Sequence, residues 1–245
     1  MDSAATLGIA CAEGYLCHAL SVDYGQRHVH EVQCAAAIAR HLGAVEHKVV
    51  RSDLRVFGGS ALTADIAVPK GRSEAELASQ IPVTYVPARN LIFLSLALAY
   101  AETVGAFELF IGINSVDYSG YPDCRREFID QFERTATLAT KAGVERRASG
   151  STRPLFRVRT PLVSLTKAEI IRRGIGLGVD FSLTTSCYDP VKRGEKWLAC
   201  GACDSCQIRA RGFLQAGIAD PTAYAAAPAR SFSTPSRVGR EGVRA

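Results

Sequence analysis

Apolar and polar positions divide the first half of this chain into short apolar runs separated by longer amphipathic segments. Residues Cys17 to Val22 form one such run, which ends at Asp23 and enters the polar loop Tyr24, Gly25, Gln26. From about His28 to His41 apolar residues recur at helical spacing, and Val45 to Val50 is strand-like again. Strands alternating with helices of this length predict βαβ units and a parallel sheet, so the expected fold is a doubly wound α/β domain. The opening residues, 2–14, read as a helix with no strand before it, and Gly14 is the natural stop.

The middle of the chain carries the densest chemistry. Val83 to Val86 and Leu109 to Ile113 read as strands, and each runs straight into a polar loop. The first loop holds Arg89 and Asn90; the second holds Asn114, Asp117, Tyr118, Tyr121 and Asp123. In an open parallel sheet the strand carboxyl ends border the ligand crevice. Ordinary loop polarity accounts for one such segment, whereas two at equivalent positions point to a ligand. Between them, Leu91 to Ala101 is apolar on nearly every face, which predicts a helix buried among neighbours.

Elsewhere the pattern is more uneven. Arg51 to Gln80 has scattered Gly, Pro and charge, and reads as a mobile excursion near the cleft, a candidate lid. Arg125 to Thr140 reads as a helix, Val144 to Thr152 as a charged connector and Phe156 to Leu162 as a strand. Thr166 and Glu169 match a capping box, which puts Lys167 in the first turn of a helix. A cation there opposes the helix dipole. A solvated surface lysine is the ordinary explanation, but the mouth of an α/β crevice favours phosphate binding.

Composition narrows the class. With 245 residues and 47% hydrophobic content, the chain can bury a sizeable core. Its longest apolar run, Leu91 to Ala101, is far short of the roughly 20 residues that span a bilayer. A soluble cytoplasmic protein without membrane partners is expected. The net charge of +5 is concentrated in an Arg-rich tail after Pro221, which leaves no electrostatic case for nucleic acid. That tail lacks periodicity and is expected to be disordered. Of eight cysteines, Cys200, Cys203 and Cys206 follow Cys187 at knuckle spacing, with Gly201 inside the turn. Four thiolates fill a tetrahedral Zn²⁺ shell and leave no site for water, so a structural zinc is expected. Cys11, Cys17, Cys34 and Cys124 lack such spacing.

These motifs together resemble one family. VDYGQRH (22–28), VPARNLIFLS (86–95), GINSVDYSGYPDCRREF (112–128), LTKAEII (165–171), TSCY (185–188) and CGACDSCQIR (200–209) are similar to the 7-cyano-7-deazaguanine synthases, within the ATP pyrophosphatase superfamily of adenine-nucleotide α-hydrolase-like fold. The resemblance runs from residue 2 to about Tyr224. It implies an ATP-dependent ligase of queuosine biosynthesis that converts 7-carboxy-7-deazaguanine and ammonia to the nitrile, with ATP, Mg²⁺ and zinc, as a homodimer. It implies that Lys167, Arg89 and Asp123 serve catalysis, and that Asp2, Ser3, Ala4, Ala5, Thr6 and Leu7 bind ATP. Asn90, Asp117, Tyr118 and Tyr121 are the implied substrate contacts, and Cys187, Cys200, Cys203 and Cys206 the zinc ligands. The expected division is an α/β domain over 1–182, a zinc segment over 183–221 and a tail over 222–245.

One departure from the family pattern bears on activity. The superfamily loop SGGxDS follows a first strand, and here Asp2 and Ser3 stand without that strand or the Ser-Gly-Gly. The expectation is that Met1 is internal to a longer protein, and that a protein beginning at Met1 binds ATP weakly and makes no nitrile. The alternatives are a truncated, non-catalytic zinc-stabilised protein of the same fold, or another ATP pyrophosphatase.

Overall fold

The computed structural model describes residues 1–26, 30–73, 76, 81–114 and 121–228. Helix α1 (Asp2–Ala12) opens the chain and stops at Gly14, whose φ of +86° suits glycine. Its run of small residues lets it lie deep in the molecule. A Cβ on Gly8 would come within 2.8 Å of Val179 Cγ2. One side of α1 places Ala4 with Ile171, Val179, Phe181 and Phe213, and another places Ala5 and Ile9 with Leu162 and Ile170.

Two parallel ladders carry the α/β framework. Strand β1 (His18–Asp23) crosses through α2 (His30–His41) to β2 (Glu46–Arg51), with His18 opposite Glu46 and Asp23 opposite Arg51. Helix α3 (Arg89–Val104) precedes β3 (Glu108–Phe110), which pairs in parallel with β4 (Arg157–Arg159), Leu109 facing Val158. Helix α3 lies between the two ladders but is not buried on every side as expected: Leu91 is 42% exposed and shares an open face with Ser95, Ala99 and Thr103. Leu94 and Ala101 join Leu109, Ile113, Phe132, Phe156 and Val158 in the largest core cluster. Ile92 and Phe93 pack instead with Val22, Tyr24, Leu62 and Val86, and the Tyr100 hydroxyl donates to Glu46 of β2 at 2.5 Å.

The second half closes these ladders. Helix α4 (Arg126–Ala139) is strongly amphipathic and buries Ile129, Phe132 and Ala136. It also buries Glu133, whose carboxylate accepts the Val158 amide at 2.8 Å and so satisfies a backbone donor of β4. Helix α5 (Lys141–Ala148) occupies part of the expected Val144–Thr152 connector. It forms because the Thr140 side chain accepts from the Gly143 amide at 3.2 Å and caps it. Helix α6 (Lys167–Gly176), the antiparallel hairpin β5 (Val191–Arg193) and β6 (Lys196–Leu198), and α7 (Asp204–Ala216) complete the fold.

Three expectations need correction here. Val83–Val86 is a turn, not a strand: Tyr85 N bonds back to Pro82 O at 2.8 Å, and the flanking Pro82 and Pro87 have no amide to offer a ladder. The stretch from Arg51 is not a free lid over its described residues. Ser60 and Ala61 are fully buried, Lys70 forms a β-bridge with Cys203, and the Gly71 amide donates to Ala202 O at 2.9 Å. The expected disordered tail is in fact ordered at its start, where Tyr224 forms a β-bridge with Ala199 and the Ala225 amide donates to Ala199 O at 2.8 Å, and from residue 229 onward it lies outside the described residues.

Candidate active site and metal centre

The start of α1 forms one end of the site. Its first-turn amides are open, as at any helix start, and the approach to them is kept clear by Gly112 just beyond β3. A Cβ on Gly112 would meet Ser3 N at 2.9 Å. Asp2 Oδ2 accepts from Lys167 Nζ at 2.5 Å and from the fully buried Asn114 Nδ2 at 3.4 Å. Asp2 Oδ1 and Thr6 Oγ1 are buried with no hydrogen-bond partner among the described residues. An orphaned buried acceptor costs about 1–3 kcal/mol, so this one marks a place where a ligand or cation would be welcome. Of the other expected ATP contacts, Ser3 is exposed. Ala4, Ala5 and Leu7 turn their side chains into the core, and the Ala5 amide already bonds Met1 O at 3.1 Å.

Lys167 is held at the first position of α6 by a complete capping box. The Thr166 hydroxyl accepts from Glu169 N at 3.3 Å, and the Glu169 carboxylate accepts from Thr166 N at 2.8 Å. A Cβ on Gly212 would lie 2.8 Å from Lys167 Cβ, so α7 packs tightly behind this turn and fixes its direction.

A small cleft of about 70 Å³ is the second candidate region, lined by Tyr24, Gln26, His30, Glu31, Leu62, Arg89 and the Thr185–Tyr188 segment. Arg89 is aimed into it by an unusual backbone. Ala88, just before it, has φ +53°, the one positive value among the described non-glycine residues. Such strain persists only where its surroundings enforce it. Here the Ala88 amide donates to the Tyr85 hydroxyl at 3.1 Å, and the Tyr85 ring packs 5.7 Å from Tyr121. The Arg89 guanidinium sits 5.9 Å from the centre of the Tyr24 ring. Glu31 keeps contact with solvent, yet the cleft walls desolvate its carboxyl and push its pKa up, against the pull of Arg89.

The remaining expected site residues divide into two groups. Asp123 accepts from the Asn90 amide at 2.8 Å, and Asn90 Nδ2 reaches Cys124 Sγ at 3.1 Å. Both therefore bind the turn Pro122–Cys124 to the start of α3, which steadies Arg89. Asp117 and Tyr118 lie outside the described residues. Tyr24, Glu31 and Tyr188 received no role from the sequence, although the VDYGQRH motif and TSCY carry or flank them; only the folded chain brings these motifs together.

Cys187, Cys200, Cys203 and Cys206 converge so that their sulfurs lie within 4.8 Å of one another. The amides of Asp189 and Cys200 donate to Cys187 Sγ at 3.3 and 3.2 Å, and that of Cys203 donates to Cys200 Sγ at 3.3 Å. Hydrogen bonds from the Cys187 and Cys206 thiols hold the Cys203 thiol below its ordinary pKa. Sulfurs so gathered and so solvated by amides suit a thiophilic cation. Gly201 cannot be replaced without movement: its φ is +78° and a Cβ would collide with Ala226 O at 1.9 Å. A partly buried Arg72–Asp204 pair and the Lys70–Asp189 bridge at 2.7 Å clamp the 68–72 segment to this knuckle. None of the eight cysteines is in a disulfide.

Fold and site together define an α/β protein of the ATP pyrophosphatase type that carries a four-cysteine knuckle. The chain belongs to the family described as queuosine biosynthesis protein QueC, whose model matches residues 1–217. It is 58% identical over 225 residues to a 7-cyano-7-deazaguanine synthase of Geobacter metallireducens, covering 92% of this chain and 90% of the relative. Relatives of the same name from Desulfatibacillum aliphaticivorans and Paramagnetospirillum magneticum are 57% and 56% identical, covering 92% and 95% of those proteins.

Proposed function

We propose that this protein is an ATP-dependent carbon–nitrogen ligase that makes 7-cyano-7-deazaguanine from 7-carboxy-7-deazaguanine and ammonia. The reading is carried by identity above 55% to synthases of that name over nine-tenths of both chains. The cationic and carboxylate groups around α1 fit it. A carboxylate does not condense with ammonia at neutral pH, because oxide is the leaving group. Its oxygen must first attack the α-phosphorus of ATP and expel pyrophosphate. Ammonia then attacks the acyl adenylate, releasing AMP and a proton and leaving the amide. A second ATP adenylates the amide oxygen, and loss of AMP with two N–H protons forms the nitrile.

Each adenylation builds negative charge on the departing pyrophosphate. Lys167, which reaches Asp2 at the start of α1, is the cation we assign to stabilise it, and Arg89 is the second. Exchange of Lys167 from Asp2 to phosphate would free a second Asp2 oxygen beside the orphaned Oδ1. That makes Asp2 the described carboxylate best placed for the Mg²⁺ that accompanies ATP. Zn²⁺ is the ion we assign to the knuckle, where four thiolates supply a closed structural shell and no catalytic position. Among the described residues no helix is long and apolar enough to cross a membrane. The proposal includes a cytoplasmic site of action and a homodimer, and no nucleic-acid partner.

In full-length protein, Lys167→Ala is expected to lower kcat for AMP release by about a hundredfold or more, the scale seen on removing a preorganised electrostatic group. Near wild-type kcat would return Lys167 to the role of a surface lysine.

A further inference from the structure

We propose that the cleft between α2, the start of α3 and the Thr185–Tyr188 segment is the seat of the deazaguanine base, with Glu31 reading its ring N–H and exocyclic amine. The inference rests on the ligase reading and assigns a base-recognition role that the sequence had placed elsewhere, on Asn90, Asp117, Tyr118 and Tyr121.

Three observations lead there. First, Asn90 spends its backbone N–H and its Nδ2 on Asp123 and Cys124 in the turn before α4 and does not line the cleft. Second, the cleft contains a carboxylate, that of Glu31, which feels the charge of Arg89 but accepts no hydrogen bond among the described residues. Neighbouring Gln26, by contrast, spends its Oε1 on the Tyr24 amide at 2.9 Å. Third, the cleft adjoins the phosphate end. Helix α2, which carries Glu31, packs on α1 through Ile38 and Ala4. A substrate whose own carboxylate must meet the α-phosphorus needs its base seated next to that end.

The hydrogen-bonding faces then choose between bases. A guanine-type ring presents two adjacent donors, ring N1–H and the 2-amino group, and the two oxygens of an ionised carboxylate accept from both. Adenine presents an amino donor beside a bare ring nitrogen, which an ionised carboxylate repels. Arg89 lines the same cleft, so the cation assigned above to the phosphates borders the seat of the base. Tyr24 and Tyr188 supply aromatic faces for the flat ring. The raised Glu31 pKa agrees with a carboxylate desolvated while its donors are absent.

The test uses full-length, zinc-replete protein and isothermal titration with 7-cyano-7-deazaguanine and with its analogue lacking the 2-amino group. Wild type should bind the analogue about tenfold or more weaker than the nitrile, since a charge-assisted hydrogen bond is lost. Glu31→Gln, which keeps size and shape, should weaken nitrile binding by a similar factor and erase the discrimination, with the KM for ATP unchanged. Equal wild-type affinity for the two compounds would overturn the assignment without any variant. So would Glu31→Gln protein that binds the nitrile normally, or one whose KM for ATP rises alone, which would place adenine in the cleft. These failures are separable from that of the ligase reading: a wild type that makes the nitrile but ignores the 2-amino group refutes only the cleft assignment.

Discussion

Arg209 shows how single residues hold the C-terminal segment. Its side chain is 2% exposed and its guanidinium is fully engaged: Nε with Asp220 at 3.1 Å, one terminal nitrogen with the Thr184 hydroxyl at 2.8 Å and the other with Phe181 O at 3.1 Å. It also lies 5.0 Å from the centre of the Phe213 ring. Removing one partner of a buried pair strands the other charge. Arg209→Ala is therefore expected to cost about 3–5 kcal/mol, read as a lower urea midpoint, and a loss below 1 kcal/mol would contradict this. Burial alone would raise the Asp220 pKa, but the Tyr224 hydroxyl, Arg209 and the Thr222 amide outweigh it and hold the carboxyl low. Its contribution is thus complete above the unfolded carboxylate value of about 3.9 and is lost as pH falls through the lower folded value. Asp220→Asn should melt well below wild type at pH 7, with the gap shrinking below about pH 4; a gap that is flat across that range would refute the linkage. At this scale the sequence revealed position better than partnership. A capping box exposes Lys167 to view in one line of text, whereas Glu31, Arg89 and Tyr188 meet only through tertiary contacts that no local spacing encodes.

Among the elements, the metal knuckle and the segment around Ala61 to Arg72 stabilise each other. Ala61, Val68, Ala199, Cys200, Cys203 and Cys206 form one buried cluster, and the Arg72–Asp204 and Lys70–Asp189 pairs close its edge. Ligand binding that occurs only in the native state is folding free energy, so metal loss should loosen both strands of this contact. Cys203→Ala is expected to lower bound zinc well below one per chain and to raise protease sensitivity in both the 57–73 region and the 187–206 knuckle. Cleavage confined to the knuckle would show that the two are not coupled. The same contact explains what local pattern missed. Residues 51–73 looked loose because their order comes from a partner more than a hundred residues away, and the β5–β6 hairpin is short, charged and without an apolar alternation to announce it. The parallel ladders and the helices α1, α2, α3, α4 and α6 were legible because periodicity, Gly14 and the Thr166–Glu169 box are all local signals. Val83–Val86 carried a strand's composition, but the prolines on either side left a turn in its place.

On the scale of the whole molecule, the proposed function assigns the α1 start, Lys167, Arg89 and the cleft beside the knuckle to two successive adenylations of one bound substrate. Two activations of the same carbon distinguish nitrile formation from amide synthesis, which needs only one. The most direct measurement incubates full-length protein with 7-carboxy-7-deazaguanine, ammonia, Mg²⁺ and ATP and counts nitrile, AMP and pyrophosphate together. The account predicts two AMP and two pyrophosphate per nitrile formed, with the amide as an intermediate that is consumed on addition of further ATP. Accumulation of ADP and phosphate, or an amide that ATP leaves unchanged, would contradict it.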